Sequence, residues 1–137
     1  MVKVKLKAIM FGALADNGAT LLIMLLLMTA LSSTGISEGE VVSRMKSQSG
    51  LALSLIIGLG CTGLGGYVSG RVALRSEVLH GALVAGIGMV LALIWRESGP
   101  PNWYDIVGFA GMLPAGMAGG QVAARRRQAG AAANGKD

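Results

Sequence analysis

The chain has 137 residues, of which 53% are hydrophobic and only 14% are charged, and its mean hydropathy is +0.61. An average soluble domain carries about 25% charged residues, so the composition favours a membrane protein and excludes a disordered chain. Its 22 glycines follow no Gly-X-Y period, which excludes collagen. One cysteine, Cys61, excludes an internal disulfide framework, and with one histidine, His80, it predicts no metal site.

Four stretches have the roughly 20 apolar residues that a spanning helix needs. They lie at about 8–31, 51–70, 78–95 and 104–124, and charged residues occupy each gap between them. The length of the first stretch, interrupted by Asp16 and Asn17, favours a spanning helix over a cleaved signal peptide. The sequence therefore predicts an all-α, polytopic bundle of four transmembrane helices in a single domain, residues 1–127.

The segments outside the spans carry weaker signals. Ser37 and Glu40 have capping-box spacing, so a short helix over 40–46 at the membrane surface is one interpretation and a mobile loop is the other. Asn102 and Asp105 are positioned to cap the fourth span. The Ala- and Gly-rich residues 128–137 are predicted to form a disordered tail.

The basic residues beside the spans are distributed unequally, nine on one side and three on the other. The positive-inside rule then predicts a bacterial inner-membrane protein with both termini in the cytoplasm. We interpret the run 125–127 as an anchor that contacts anionic lipid rather than as a nucleic-acid patch, so the lipid bilayer is a predicted partner and nucleic acid is not. The nine are Lys3, Lys5, Lys7, Arg71, Arg75, Arg125, Arg126, Arg127 and Lys136; the three are Arg44, Lys46 and Arg96.

The ends of the second and fourth spans resemble each other. Both read Gly-x-x-x-Gly-x-Val-Ala-x-Arg, from Gly66 to Arg75 and from Gly116 to Arg125. This pattern suggests two helical hairpins in parallel orientation, although chance similarity between small-residue helices is an open alternative.

Small residues also recur every four positions within the spans, and such seams allow helix backbones to approach closely in lipid. These seams either pack the helices of the monomer against each other, or they form a surface for self-association or for binding to a larger membrane complex. The glycines that we assign to packing are Gly58, Gly66, Gly70, Gly116 and Gly120.

Few residues carry chemistry. The stretch 58–63 has the G-x-G-x-x-G spacing of a dinucleotide loop, but it lies inside an apolar span instead of at a strand-to-helix turn, so no cofactor is predicted. No combination of nucleophile, base and acid suggests catalysis, and we expect the protein not to be an enzyme.

Asp16 is the only carboxylate well inside a span, where a charge costs about 2.5–3.5 kcal/mol on the insertion scale. Counting helical rise from the basic side places it level with Thr62, Gly86 and Gly116. Asn17, Thr20 and Thr62 are its candidate hydrogen-bond partners. Two interpretations are open: Asp16 forms structural hydrogen bonds within the bundle, or it binds a proton or a cation.

His80 lies at the start of the third span, near Arg71 and Arg75. We assign these three residues to the cytoplasmic rim. A single histidine there is expected to be structural or solvated.

Two segments, Gly65-Gly66-Tyr-Val-Ser-Gly70-Arg and Leu79-His80-Gly81-Ala-Leu-Val, are similar to the YrzE-like family of small four-span bacterial membrane proteins. The resemblance implies a four-helix membrane fold and no particular activity. Asp16, Asn17 and the arginine-rich tail have no counterpart in it. The favoured function is a non-catalytic structural or accessory subunit, and the alternative is a small homo-oligomeric transporter or channel that uses Asp16.

Overall fold

The computed structural model describes residues 4–95 and 102–134, and this part of the chain folds into five α-helices. Four of them are long and apolar enough to cross a membrane, as expected for a multi-pass membrane protein. The prediction of an all-α bundle with four spanning helices is confirmed. The helices are α1 (Leu6–Ser32), α2 (Glu38–Lys46), α3 (Gln48–Ala73), α4 (Glu77–Trp95) and α5 (Trp103–Asn134).

The spans begin and end within three residues of their predicted positions, except at the end of α5. That helix continues to Asn134, so residues 128–134 are helical where the sequence predicts a disordered tail. Alanine and arginine are strong helix formers, which explains why the helix extends past the apolar segment. Residues 135–137 of the predicted tail lie outside the described residues.

The α3–α4 pair forms the centre of the bundle. Both α1 and α5 pack against these two helices, and α1 and α5 do not contact each other within the described part of the chain. The α3–α4 pair therefore separates α1 from α5, and much of the surface of each outer helix faces away from the protein.

Glycine backbones form the contact between α3, α4 and α5. A Cβ atom added to Gly66 or to Gly81 would collide with the carbonyl oxygen of Gly116. A Cβ on Gly119 would likewise collide with the Gly63 carbonyl. These seams consequently face the interior of the monomer, where only glycine permits so close an approach.

The repeated segments of α3 and α5 lie against each other at equivalent positions. Gly66 contacts Gly116, and a Cβ on Gly70 would lie 3.3 Å from Gly120 Cα. Both helices end at the same end of the bundle, as the parallel hairpins predict. Gly58 differs from the other predicted packing glycines, because a Cβ there would meet no atom within 4 Å.

The predicted short helix is present as α2. The Glu40 backbone N–H donates to Ser37 Oγ at 3.4 Å, and the Glu40 carboxylate pairs with Arg44 at 2.9 Å. Val41 is buried, because α2 packs against α3 and α1. At the start of α5, Asn102 and Asp105 cap each other reciprocally, with N···O distances of 3.0 and 3.2 Å, which confirms that prediction.

The end of the bundle opposite α2 gathers most of the basic residues, and we call it the basic end. It contains the start of α1 at Lys5, the end of α3 at Arg71 and Arg75, the start of α4, and residues 125–127 of α5. Contacts between Lys5 and His80 and between Glu77 and Arg127 connect these segments.

Candidate functional site

The candidate site is centred on Asp16, where α1, α3 and α4 meet. Asp16 is 6% exposed, ten residues after the start of α1 at Leu6. That separation corresponds to about 15 Å of helical rise, well inside a layer of hydrocarbon about 30 Å thick. The carboxylate therefore needs partners within the protein.

Thr62 of α3 is the partner that the structure brings to this carboxylate. Its Oγ1 lies 3.5 Å from both Oδ1 and Oδ2 of Asp16, and Thr62 is only 1% exposed. One hydroxyl has one proton to donate, whereas a carboxylate can accept about four hydrogen bonds. The two long contacts are therefore alternatives for a single shared proton, and they leave acceptor capacity on Asp16 unused.

Two glycines form the walls beside Asp16. A Cβ added to Gly65 of α3 would lie 2.7 Å from the Asp16 Cβ, closer than real Cβ atoms approach each other. A Cβ added to Gly88 of α4 would lie 3.5 Å from Asp16 Oδ2, which is an ordinary contact distance. The carboxyl group thus occupies space that glycine leaves on both neighbouring helices.

The other two predicted partners do not reach the carboxylate. Asn17 is exposed, and its Nδ2 donates to the Ala13 carbonyl at 2.8 Å. Thr20 Oγ1 donates to the backbone carbonyl of Asp16 at 2.9 Å. Polar side chains inside a helix often donate to the carbonyl four residues earlier. Asn17 and Thr20 do so, and although they are close to Asp16 in sequence they do not contact its carboxylate.

The glycines predicted to lie level with Asp16 are also elsewhere. Gly116 packs against Gly66 and Gly81, and a Cβ on Gly86 would meet nothing within 4 Å. Helical rise gives the depth of a residue but not the direction in which its helix face points, and here Gly65 and Gly88 face the acid instead.

His80 forms a second polar contact between helices, at the basic end. Its side chain is fully buried, whereas the sequence placed it at a rim with Arg71 and Arg75, which are both exposed. The Lys5 backbone N–H donates to His80 Nε2 at 3.0 Å, and Nδ1 lies 2.9 Å from the Ser76 carbonyl oxygen. Since an N–H only donates and a carbonyl only accepts, these two contacts fit the tautomer that carries its proton on Nδ1.

Sequence reasoning missed Gly12 and Ser69 at the α1–α3 interface, and it missed the burial and pairing of one charge at the basic end. A Cβ on Gly12 would lie 2.6 Å from Ser69 Cβ and 2.7 Å from the Gly65 carbonyl oxygen. The spacing Gly12-x-x-x-Asp16, which puts both residues on one helix face, was the available signal. The charge is Glu77, which is 7% exposed and pairs with Arg127.

Within residues 4–95 and 102–134, no three His, Cys, Asp or Glu side chains are grouped so that they could hold a metal ion. What the structure shows at Asp16 is its contact with the Thr62 hydroxyl inside the bundle.

Comparisons of the chain with family models, with curated proteins and with solved structures found no match. The similarity to the YrzE-like family thus remains a prediction from the sequence.

Proposed function

We propose that this protein is a non-catalytic structural or accessory subunit of the bacterial inner membrane, which associates with itself or with a larger membrane complex. The observation that carries the proposal is the position of Asp16 in the close contact between α1 and α3. Its carboxylate is bonded to Thr62, and its Cβ abuts Gly65. A group in that position holds two helices together.

A partner surface for this role is the second half of α1. Residues Leu21, Leu22, Leu25 and Leu26 are between 57% and 72% exposed, and the contacts of α1 at Gly12 and Asp16 lie in its first half. Lipid or a partner helix covers such a surface in a membrane, and an accessory subunit would present it to a partner.

The proposed orientation puts the basic end in the cytoplasm. Seven of the nine lysines and arginines in the described part of the chain lie at this end, and basic residues are retained on the cytoplasmic face during insertion. Both ends of the chain would then face the cytoplasm. Attaching a reporter that is active only in the cytoplasm to residue 137, and separately within the 33–37 segment, tests this orientation.

The role itself is tested by the mass of the native complex, extracted in mild detergent, together with the identity of every polypeptide that accompanies it. The expected result is a stoichiometric complex well above the 13.9 kDa of one chain. Asp16→Asn should leave that mass unchanged, because an amide can still accept a bond from Thr62. A monomer in every mild detergent would contradict the proposal.

A second function is favoured by the unused acceptor capacity of Asp16. In a small homo-oligomeric transporter or channel, this carboxylate would bind a proton or cation while Thr62 donates a single long bond. Proton flux into liposomes distinguishes the two functions. The transporter requires flux that Asp16→Asn abolishes, whereas a structural subunit gives the same background for the parent and the variant.

A further inference from the structure

A cavity of about 220 Å³ opens at the basic end, between the end of α3, the start of α4 and α5. Gly70 and Ala123 both line it, and a Cβ on Gly70 would lie 2.9 Å from the Ala123 Cβ, so α3 and α5 approach each other closely there. Leu74 provides an apolar wall. The charged lining residues are Arg71, Glu77 and Arg127.

The charges in this cavity do not balance. Glu77 Oε1 is buried and forms an ion pair with Arg127 Nη1. Arg71 is exposed and pairs with no carboxylate among the described residues. Two guanidinium groups therefore line the cavity with one carboxylate, which leaves a net charge of about +1.

This arrangement suits a phosphate group. Guanidinium groups bind phosphate oxygens through parallel N–H donors, and Arg127 keeps further N–H groups beyond the one facing Glu77. The cavity lies beside the end of α3 and the start of α4, so in the proposed orientation it would face the cytoplasmic headgroups, and Leu74 would contact the part of a lipid next to its headgroup. Basic pockets between spanning helices are a known form of headgroup recognition.

We propose that the cavity lined by Arg71, Glu77 and Arg127 binds the phosphate group of an anionic ligand, with Arg71 supplying the uncompensated positive charge. The ligand is either the headgroup of an anionic phospholipid or a free phosphate. The proposal is independent of the role of Asp16, which belongs to α1 and contacts α3 at Thr62 and Gly65, away from the residues that line the cavity.

The test uses the full chain in mild detergent and measures bound lipid by native mass spectrometry, with phosphatidylglycerol as the anionic probe and phosphatidylcholine as the zwitterionic control. Arg71→Gln should lower the affinity for phosphatidylglycerol about tenfold, since it removes one charge-assisted contact. The matched control is Arg75→Gln, which removes the same charge four residues further along the chain, past the end of α3 and outside the cavity lining, and should change the affinity less than about twofold.

Competition with excess inorganic phosphate identifies the source of the ligand. Displacement of the lipid by phosphate supports a free phosphate ligand, and persistence of the lipid supports the headgroup. Glu77→Gln removes the opposing negative charge and should raise the affinity, which provides a second test if Arg71→Gln does not fold. Equal losses in Arg71→Gln and Arg75→Gln, equal binding of the two lipids, or lower affinity in folded Glu77→Gln would overturn the proposal.

Discussion

The α3–α5 contact makes a sharp prediction about two glycines of the same helix. Gly66 and Gly58 both belong to the four-residue pattern of small residues in α3, and both are expected from sequence to pack against another helix. In the structure only Gly66 does so. Replacing each glycine by alanine therefore separates the cost of a packing clash with α5 from the gain in helix propensity, which both variants share.

The size of the effect follows from the geometry at Gly66. An alanine Cβ there would collide with the Gly116 carbonyl oxygen and lie 2.9 Å from its carbon, about 0.5 Å inside the closest ordinary contacts. Because both atoms are backbone, a whole helix has to shift, and overpacking of this kind costs about 1–3 kcal/mol. The gain in helix propensity of up to about 1 kcal/mol is common to both variants and cancels in their difference.

We therefore expect Gly66→Ala to lower the free energy of unfolding by about 2 kcal/mol relative to Gly58→Ala. Reversible denaturation of the purified protein in mixed micelles, followed by circular dichroism, measures this difference. If the two variants unfold alike, then α3 and α5 do not meet through Gly66, and the packing described above is wrong.

Four further substitutions test three polar contacts. His80→Phe leaves the Lys5 N–H without its acceptor and should reduce the free energy of unfolding by about 1–3 kcal/mol, measured in the same micelles; no loss would mean that His80 does not hold the start of α1. Arg127→Gln should destabilise the protein more than Glu77→Gln. It leaves the Glu77 carboxylate, with 8% side-chain exposure, without its positive partner, whereas Glu77→Gln leaves unpaired an arginine with 43% exposure that water can solvate. The reverse order would contradict a buried Glu77. Ser37→Ala should weaken the start of α2 by about 1 kcal/mol, seen as faster amide hydrogen exchange in α2, with α5 as the unaffected reference.

The spans could be predicted from the sequence because their signal is local. A run of apolar residues long enough to cross hydrocarbon, bounded by charges, requires no knowledge of what packs against it. The reciprocal cap of Asn102 and Asp105 is local in the same sense, as is the capping of α2 by Ser37. The end of α5 was missed because the apolar run ends before the helix does.

The rotation of each helix about its axis could not be predicted. The small-residue pattern of α3 contains Gly58 and Gly66 alike, and only the direction of approach of α5 decides which of them is covered. The same limit explains the neighbours of Asp16: depth was estimated from helical rise, but Gly65 and Gly88 face the acid because of how α3 and α4 are turned. Thr62 was identified because it shares both the depth and the face.

The contacts of α1 have a consequence for the proposed assembly. Its polar and glycine contacts, at Lys5, Gly12 and Asp16, all lie in the half nearer the basic end, where they connect it to α3 and α4. The other half presents mainly leucine side chains, and in lipid these gain little from burial against another helix unless the surfaces fit closely. The first half thus supplies the polar and glycine contacts that attach α1 to α3 and α4, and the exposed leucines of the second half are available to lipid or to a partner helix. A subunit that associates through α1 would keep its own fold in both the free and the assembled state.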